Sequence, residues 1–220
     1  MEFYIREIYP WLVDVSSFSF SIPLIAGILL IKKRDSKLFN LLLLYTVFIA
    51  LIEITGQLTI YLGTRNNHWI QHIYTPIEYV LLAMVYFYSL HSRAIKRAIV
   101  VSIAGVSLLS VLTGVLVEDI TQMNSSTRMI AGALLIAMAV LYFYQTASKP
   151  SFTYLDRDPM FVLSSGVIFY QAGTAMAFSM FNAALAESYD AARICISIIV
   201  VLNMLFRIIL MMALRRAPVA

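Results

Sequence analysis

The stretch LFNLLLLYTVFIALIEITGQLTIYL, residues 38–62, carries one charged side chain, Glu53, in an otherwise almost unbroken apolar run. A helix rises about 1.5 Å per residue. The run therefore covers the roughly 30 Å of a bilayer core, which takes about 20 residues. Six further runs share this character, at about 12–31, 71–91, 98–117, 127–147, 160–183 and 192–214. In hydrocarbon each backbone group must be satisfied within its own segment, so helices are the expected form. The expected fold is all-α: one polytopic seven-helix bundle over residues 1–220, with no soluble domain.

Composition agrees. Apolar residues make up 61% of the chain and charged residues 13%, whereas soluble domains run near 45–50% and about 25%. The net charge of +4 is explained by position and calls for no nucleic-acid partner. With the N-terminus outside, one side would hold 12 of the 16 basic residues, among them Lys32, Lys33, Arg34, Arg93, Arg215 and Arg216. The other side would hold Arg6, Arg65, Arg128 and Arg193. The positive-inside rule then predicts an outside N-terminus and a cytoplasmic C-terminus, and a bacterial inner membrane is the expected location. The acidic residues Glu118 and Asp119 fall in an outer loop, Glu118–Thr127. The longest inner loop is Ser148–Pro159. The weakest span is the first, where Asp14 and the serines from Ser16 to Ser21 interrupt the apolar run.

The polar residues inside the runs carry the functional signal, because an ionisable group in hydrocarbon needs a partner or water. In the second run Glu53 and Gln57 share a face with Thr46, Ala50 and Tyr61. In the third, Gln71, Thr75 and Glu78 form one stripe, and His68, His72, Thr75 and Tyr79 an overlapping one. Adjacent antiparallel helices would bring Glu53 and Glu78 to one level, about 12–14 Å below the outer surface. Two carboxylates so placed would not both ionise, and one would keep its proton. A ligand-binding or proton-coupling pocket of Glu53, Gln57, His72, Thr75, Glu78 and Tyr79 is the expectation. Pro76 removes a helical hydrogen bond and crowds the carbonyl of His72, a kink beside Glu78.

Later runs offer Gln171, Asn203 and Arg207 as a helix-clamping network, with Arg207 reaching Asp156 or Asp158 near the inner side. Small residues at Ser110 and Gly114, and at Gly173 and Ala177, have the spacing that lets helices approach closely, within the bundle or in a homo-oligomer. His68 and His72 are four apart and, with a carboxylate, have the spacing of a weak zinc site. The single cysteine, Cys195, excludes an internal disulfide.

Several chemistries lack their residues. All five lysines lie near the cytoplasmic boundary, so no retinal cofactor is expected. Rhodopsin-like Asp-Arg-Tyr and Asn-Pro-x-x-Tyr motifs and a Gly-x-Ser-x-Gly elbow do not occur. No inverted repeat is evident; Pro76 has no counterpart in a later run. The favoured reading is a sensor-like membrane protein that binds a small amphipathic or lipid-like ligand in an outward-opening pocket. Its expected partners are membrane lipids and a separate cytoplasmic signalling protein. Two rivals use the same residues: a proton- or cation-coupled carrier built on Glu53 and Glu78, and a lipid-modifying enzyme using His72.

Overall fold

Serines, prolines and apolar faces set where the helices start, break and pack. The computed structural model describes residues 2–64, 67–116, 124–148 and 155–218. Glu118, Asp119, Arg65, Lys149 and most of the two long loops lie outside these residues, as does the side chain of Asp156. Among the described residues 89% are helical and none lies in a strand.

A π-helical turn, Tyr4–Ile8, leads into α1 (Tyr9–Phe18) and α2 (Ser21–Leu30). There follow α3 (Lys37–Tyr61), α4 (Trp69–Ser89), α5 (Arg93–Leu116), α6 (Ser125–Ala147), α7 (Pro159–Glu187) and α8 (Tyr189–Arg216). Side chains fix several starts. Ser36 accepts from the Phe39 amide at 3.2 Å, and Asp158 from the Met160 amide at 2.9 Å, with Pro159 at the first turn of α7. Such caps satisfy otherwise orphaned N–H groups. One extended residue, Ser188, separates α7 from α8 and caps α8 through the Ala191 amide.

Six helical segments are long and apolar enough to cross a membrane: Tyr4–Leu30, α3, α5, α6, α7 and α8. That is the character of an integral membrane protein. The remaining helix, α4, is 21 residues long and falls short in apolarity because of Gln71, His72, Thr75 and Glu78. It packs on α3, α5 and α6, and its polar residues Thr75 and Glu78 are buried. Large apolar side chains such as Leu51, Leu58, Val101, Leu108 and Phe169 are exposed on the perimeter.

The first segment begins earlier than the expected 12–31, at Tyr4, and it breaks at Ser19 and Phe20. Its serines compete for backbone groups that a continuous helix would use. The Ser19 hydroxyl donates to the Ser16 carbonyl at 2.6 Å, and the Ser21 hydroxyl to the Phe18 carbonyl at 2.8 Å. Pro23 has no N–H to return to the Ser19 carbonyl.

Small residues carry close helix approaches inside the bundle. A Cβ on Gly173 would stand 2.5 Å from Leu202 and one on Gly166 2.6 Å from Ile209, so α7 lies tightly on α8. Ala177 is buried with Ala192 and Cys195 in the same interface. On α5, Gly114 admits the His72 ring, and the Ser110 hydroxyl donates to the His72 carbonyl at 3.4 Å. That carbonyl is the one Pro76 deprives of its helical donor. A neighbouring helix thus satisfies it, as membrane bundles commonly do for prolines.

Candidate functional site

Two buried arginines, each paired with one of the two mid-helix glutamates, organise the interior. Glu78 of α4 is 1% exposed. One of its carboxylate oxygens accepts the hydroxyls of Tyr45 at 2.8 Å and Tyr74 at 2.7 Å; the other accepts the Arg128 guanidinium. Arg128 is itself 1% exposed. Three aromatic rings face it, with centroids at 5.3 Å for Tyr170, 5.4 Å for Phe178 and 5.7 Å for Tyr74. Cation–π attraction is strongest where water is excluded. Its Nε and Nη2 have no hydrogen-bond partner among the described residues, so carboxylate and rings together compensate the buried charge.

Glu53 of α3 pairs with Arg207 of α8. Arg207 also donates to the Ser16 carbonyl and to the Ser19 hydroxyl, the latter at 2.8 Å. Both acceptors belong to the break in the first segment. The C-terminal end of α1 carries partial negative charge, and the guanidinium joins the Ser19 amide and hydroxyl as donors to the Ser16 carbonyl there. One side chain therefore joins α1, α3 and α8. Glu53 differs from Glu78 in exposure: its side chain is 24% accessible.

These pairings correct the expected meeting of the two carboxylates: each turns to its own arginine. They also correct the expected partner of Arg207. Asp158 accepts the Tyr142 hydroxyl at 2.5 Å and caps α7. Arg207 lies nine residues from the end of α8, about 14 Å along the axis, beyond reach of that loop.

The six residues expected to line one pocket are divided among several places. Glu53 and Gln57 line a groove on the perimeter; Tyr79 donates to Ser102 of α5 at 2.7 Å. His72 is half-buried against Gly114, and Thr75 and Glu78 are buried. Gln171 is buried on α7, its amide oxygen 3.3 Å from where a Cβ on Gly132 of α6 would lie. Asn203 lies beside Arg207 in the wall of a small cavity. The His68 ring packs edge-on against Phe181 at 5.4 Å. Burial, and secondarily the neighbouring His72, lowers the His68 pKa. Among the described residues no three His, Cys, Asp or Glu side chains converge to hold a metal.

Sequence reasoning missed Arg128. It stands one residue inside the expected start of its run, where an arginine ordinarily reaches headgroups. The available signal was its face: Arg128, Ala131, Gly132 and Leu135 are spaced as one helical stripe, and the last three are small or apolar.

Two spaces adjoin Glu53. A small, partly open cavity of about 70 Å³ is walled by Glu53, Gln71, Tyr74, Asn203 and Arg207, among others. A groove of about 350 Å³ runs along the perimeter between the break of the first segment and α3. It is lined by Phe18, Phe20, Glu53, Ile54, Gln57 and Tyr61, with Ser17 and Leu58. Residues 53, 57 and 61 are one turn apart each, so the α3 wall extends about 12 Å. The Glu53 carboxylate belongs to both spaces. Comparison with known proteins found no matching family, no matching curated protein and no matching solved structure.

Proposed function

We propose that this protein crosses the membrane seven times, N-terminus outside and C-terminus cytoplasmic, and binds a small amphipathic or lipid-like molecule in the groove between the broken first helix and α3. The 21 residues of α4 give about 31 Å of helix, enough for a bilayer core. Its polar groups turn inward to partners from α3, α5 and α6, which removes the objection that they would meet lipid. The distribution of basic residues sets the orientation.

One observation carries the binding assignment: Glu53, accessible in mid-helix, lies with Gln57 and Ser17 in a groove whose other lining side chains are apolar or aromatic. Facing bare acyl chains it would lack solvation, and intramembrane carboxylates mark ligand and ion sites for that reason. An apolar tail would lie along Ile54, Leu58 and Tyr61, and a polar head would meet Glu53 and Gln57. The groove replaces the outward mouth between α3 and α4 as the place of binding.

The same geometry supports a sensor. A head group that takes hydrogen bonds from or gives them to Glu53 competes with Arg207 for it. Arg207 holds the α1 end of the broken helix, so ligand binding would change how firmly α1, α3 and α8 are joined. A cytoplasmic partner would read that change. Each glutamate faces its own arginine rather than the other glutamate, which favours a sensor over a carrier built on the pair.

The test uses the full chain in lipid nanodiscs. Leu58 is 57% exposed, so Leu58→Trp fills the groove without disturbing the core. Single-chain amphiphiles should raise the unfolding temperature of the parent in a concentration-dependent way, as any ligand selective for the native state does. Leu58→Trp should abolish that rise. Equal stabilisation of parent and variant, or none of either, would refute binding in the groove.

A further inference from the structure

The cavity behind Glu53 specifies the chemistry of the head group, given the groove reading above. Its walls present two acceptors that no described donor meets. Arg207 spends its described hydrogen bonds on Glu53, the Ser16 carbonyl and the Ser19 hydroxyl. One Glu53 oxygen receives Arg207, which leaves the other as an acceptor toward the cavity and groove. Gln71 lines the cavity, and its amide oxygen is buried without a hydrogen-bond partner among the described residues. A buried acceptor left unmatched is costly, and a ligand that supplies the missing donor recovers that cost.

Charge narrows the choice further. Glu53 and Arg207 together are neutral. A carboxylate head would set a second negative charge against Glu53. An ammonium head would leave a net positive charge in a nearly dry site, where unbalanced charge is expensive. An uncharged head with two or more hydroxyls satisfies both acceptors and keeps the balance. The cavity of about 70 Å³ has room for a few water-sized groups, which admits a glycerol-sized head and excludes a phosphocholine.

We infer that the site takes an uncharged single-chain amphiphile whose small polyol head donates hydrogen bonds to Glu53 and Gln71, with its chain in the Phe18–Tyr61 groove. Monoacylglycerols have this chemistry.

Thermal unfolding in nanodiscs, titrated with four probes of equal chain length, tests it: glycerol monolaurate, methyl laurate, laurate and dodecylammonium. Glycerol monolaurate should stabilise the parent at the lowest concentration. Gln71→Leu breaks none of the described hydrogen bonds and should fold normally, yet it should weaken the monolaurate about tenfold, the value of one hydrogen bond near 1.4 kcal/mol. Methyl laurate, which lacks a donor, should bind parent and Gln71→Leu alike. The inference is overturned if methyl laurate equals the monolaurate, if laurate or dodecylammonium binds more tightly, or if Gln71→Leu leaves the monolaurate unaffected. In each of those outcomes a response to Leu58→Trp would still support the groove. Failure of all four probes would remove the groove reading as well.

Discussion

Replacing Glu78 by glutamine isolates the energetic role of the sealed ion pair. The substitution keeps shape and leaves an amide oxygen for the Tyr45 and Tyr74 hydroxyls. It removes the charge opposite Arg128 and turns the oxygen that accepted the guanidinium into an amide NH2. That guanidinium is 1% exposed, and two of its nitrogens already lack partners among the described residues. Water has no route to replace the lost carboxylate. Breaking one side of a buried pair typically costs about 3–5 kcal/mol. For a chain of this size a kilocalorie moves the unfolding midpoint by about 2–4 °C, so the expected fall is roughly 6–20 °C. The intrinsic fluorescence of Trp69, at the start of α4, reports the transition in nanodiscs. The decisive comparison is the double variant Glu78→Gln with Arg128→Met. Removing both charges leaves no orphan, and methionine packs well among aromatic rings. The double variant should therefore be more stable than Glu78→Gln alone, with a coupling of at least 1 kcal/mol, within the range such cycles show for residues in contact. A Glu78→Gln midpoint indistinguishable from the parent, or strictly additive single costs, would refute a charge-compensating pair at this position.

Further outcomes follow from other contacts. Arg207→Gln withdraws the guanidinium from the Ser16 carbonyl and Ser19 hydroxyl, so hydrogen exchange should rise at residues 16–21 and stay unchanged at 78–86. Gly166→Val places new atoms where a Cβ already stands 2.6 Å from Ile209; overpacking of that kind costs about 1–3 kcal/mol, read as a lower midpoint. The lowered His68 pKa means that the unfolded chain binds a proton more readily than the folded one. Stability should therefore be fully present above the unfolded value of about 6.5 and decline as pH falls through the lower folded value. His68→Phe should flatten the decline over that window.

Helix existence was legible because apolar length is a strong signal; helix continuity was not. The serines from Ser16 to Ser21 marked the first run as weak, and they break it, but the consequence depends on Arg207. A guanidinium from residue 207 reaches a helix end at residue 16, and no local pattern relates the two. The case of α4 is the reverse. Its sequence reads as the most polar of the seven runs and its place is the least exposed, because three neighbouring helices supply what its side chains need. Hydropathy averages over a helix and so cannot register that a glutamate is met by two tyrosines and an arginine. The level of Glu53 and Glu78 was inferred from depth alone. Depth does not say which way a carboxylate turns, and each turns to its own cation.

The two ion pairs are alike in composition and opposite in setting, and the difference bears on which one acts. Glu78 receives three donors from three residues and has no contact with a described opening. Any ligand there would have to displace two tyrosine hydroxyls and a guanidinium from the carboxylate. Glu53 receives one donor residue and is a quarter exposed, on a groove and a cavity at once. A sealed pair fixes α3, α4 and α6 in one arrangement, whereas an accessible pair tying a broken helix to two others can be loosened by a competing hydrogen bond. Sensing needs both: a frame that does not yield and one joint that does. The sealed carboxylate suits the frame, and the carboxylate beside the serine break is the joint that a ligand can reach.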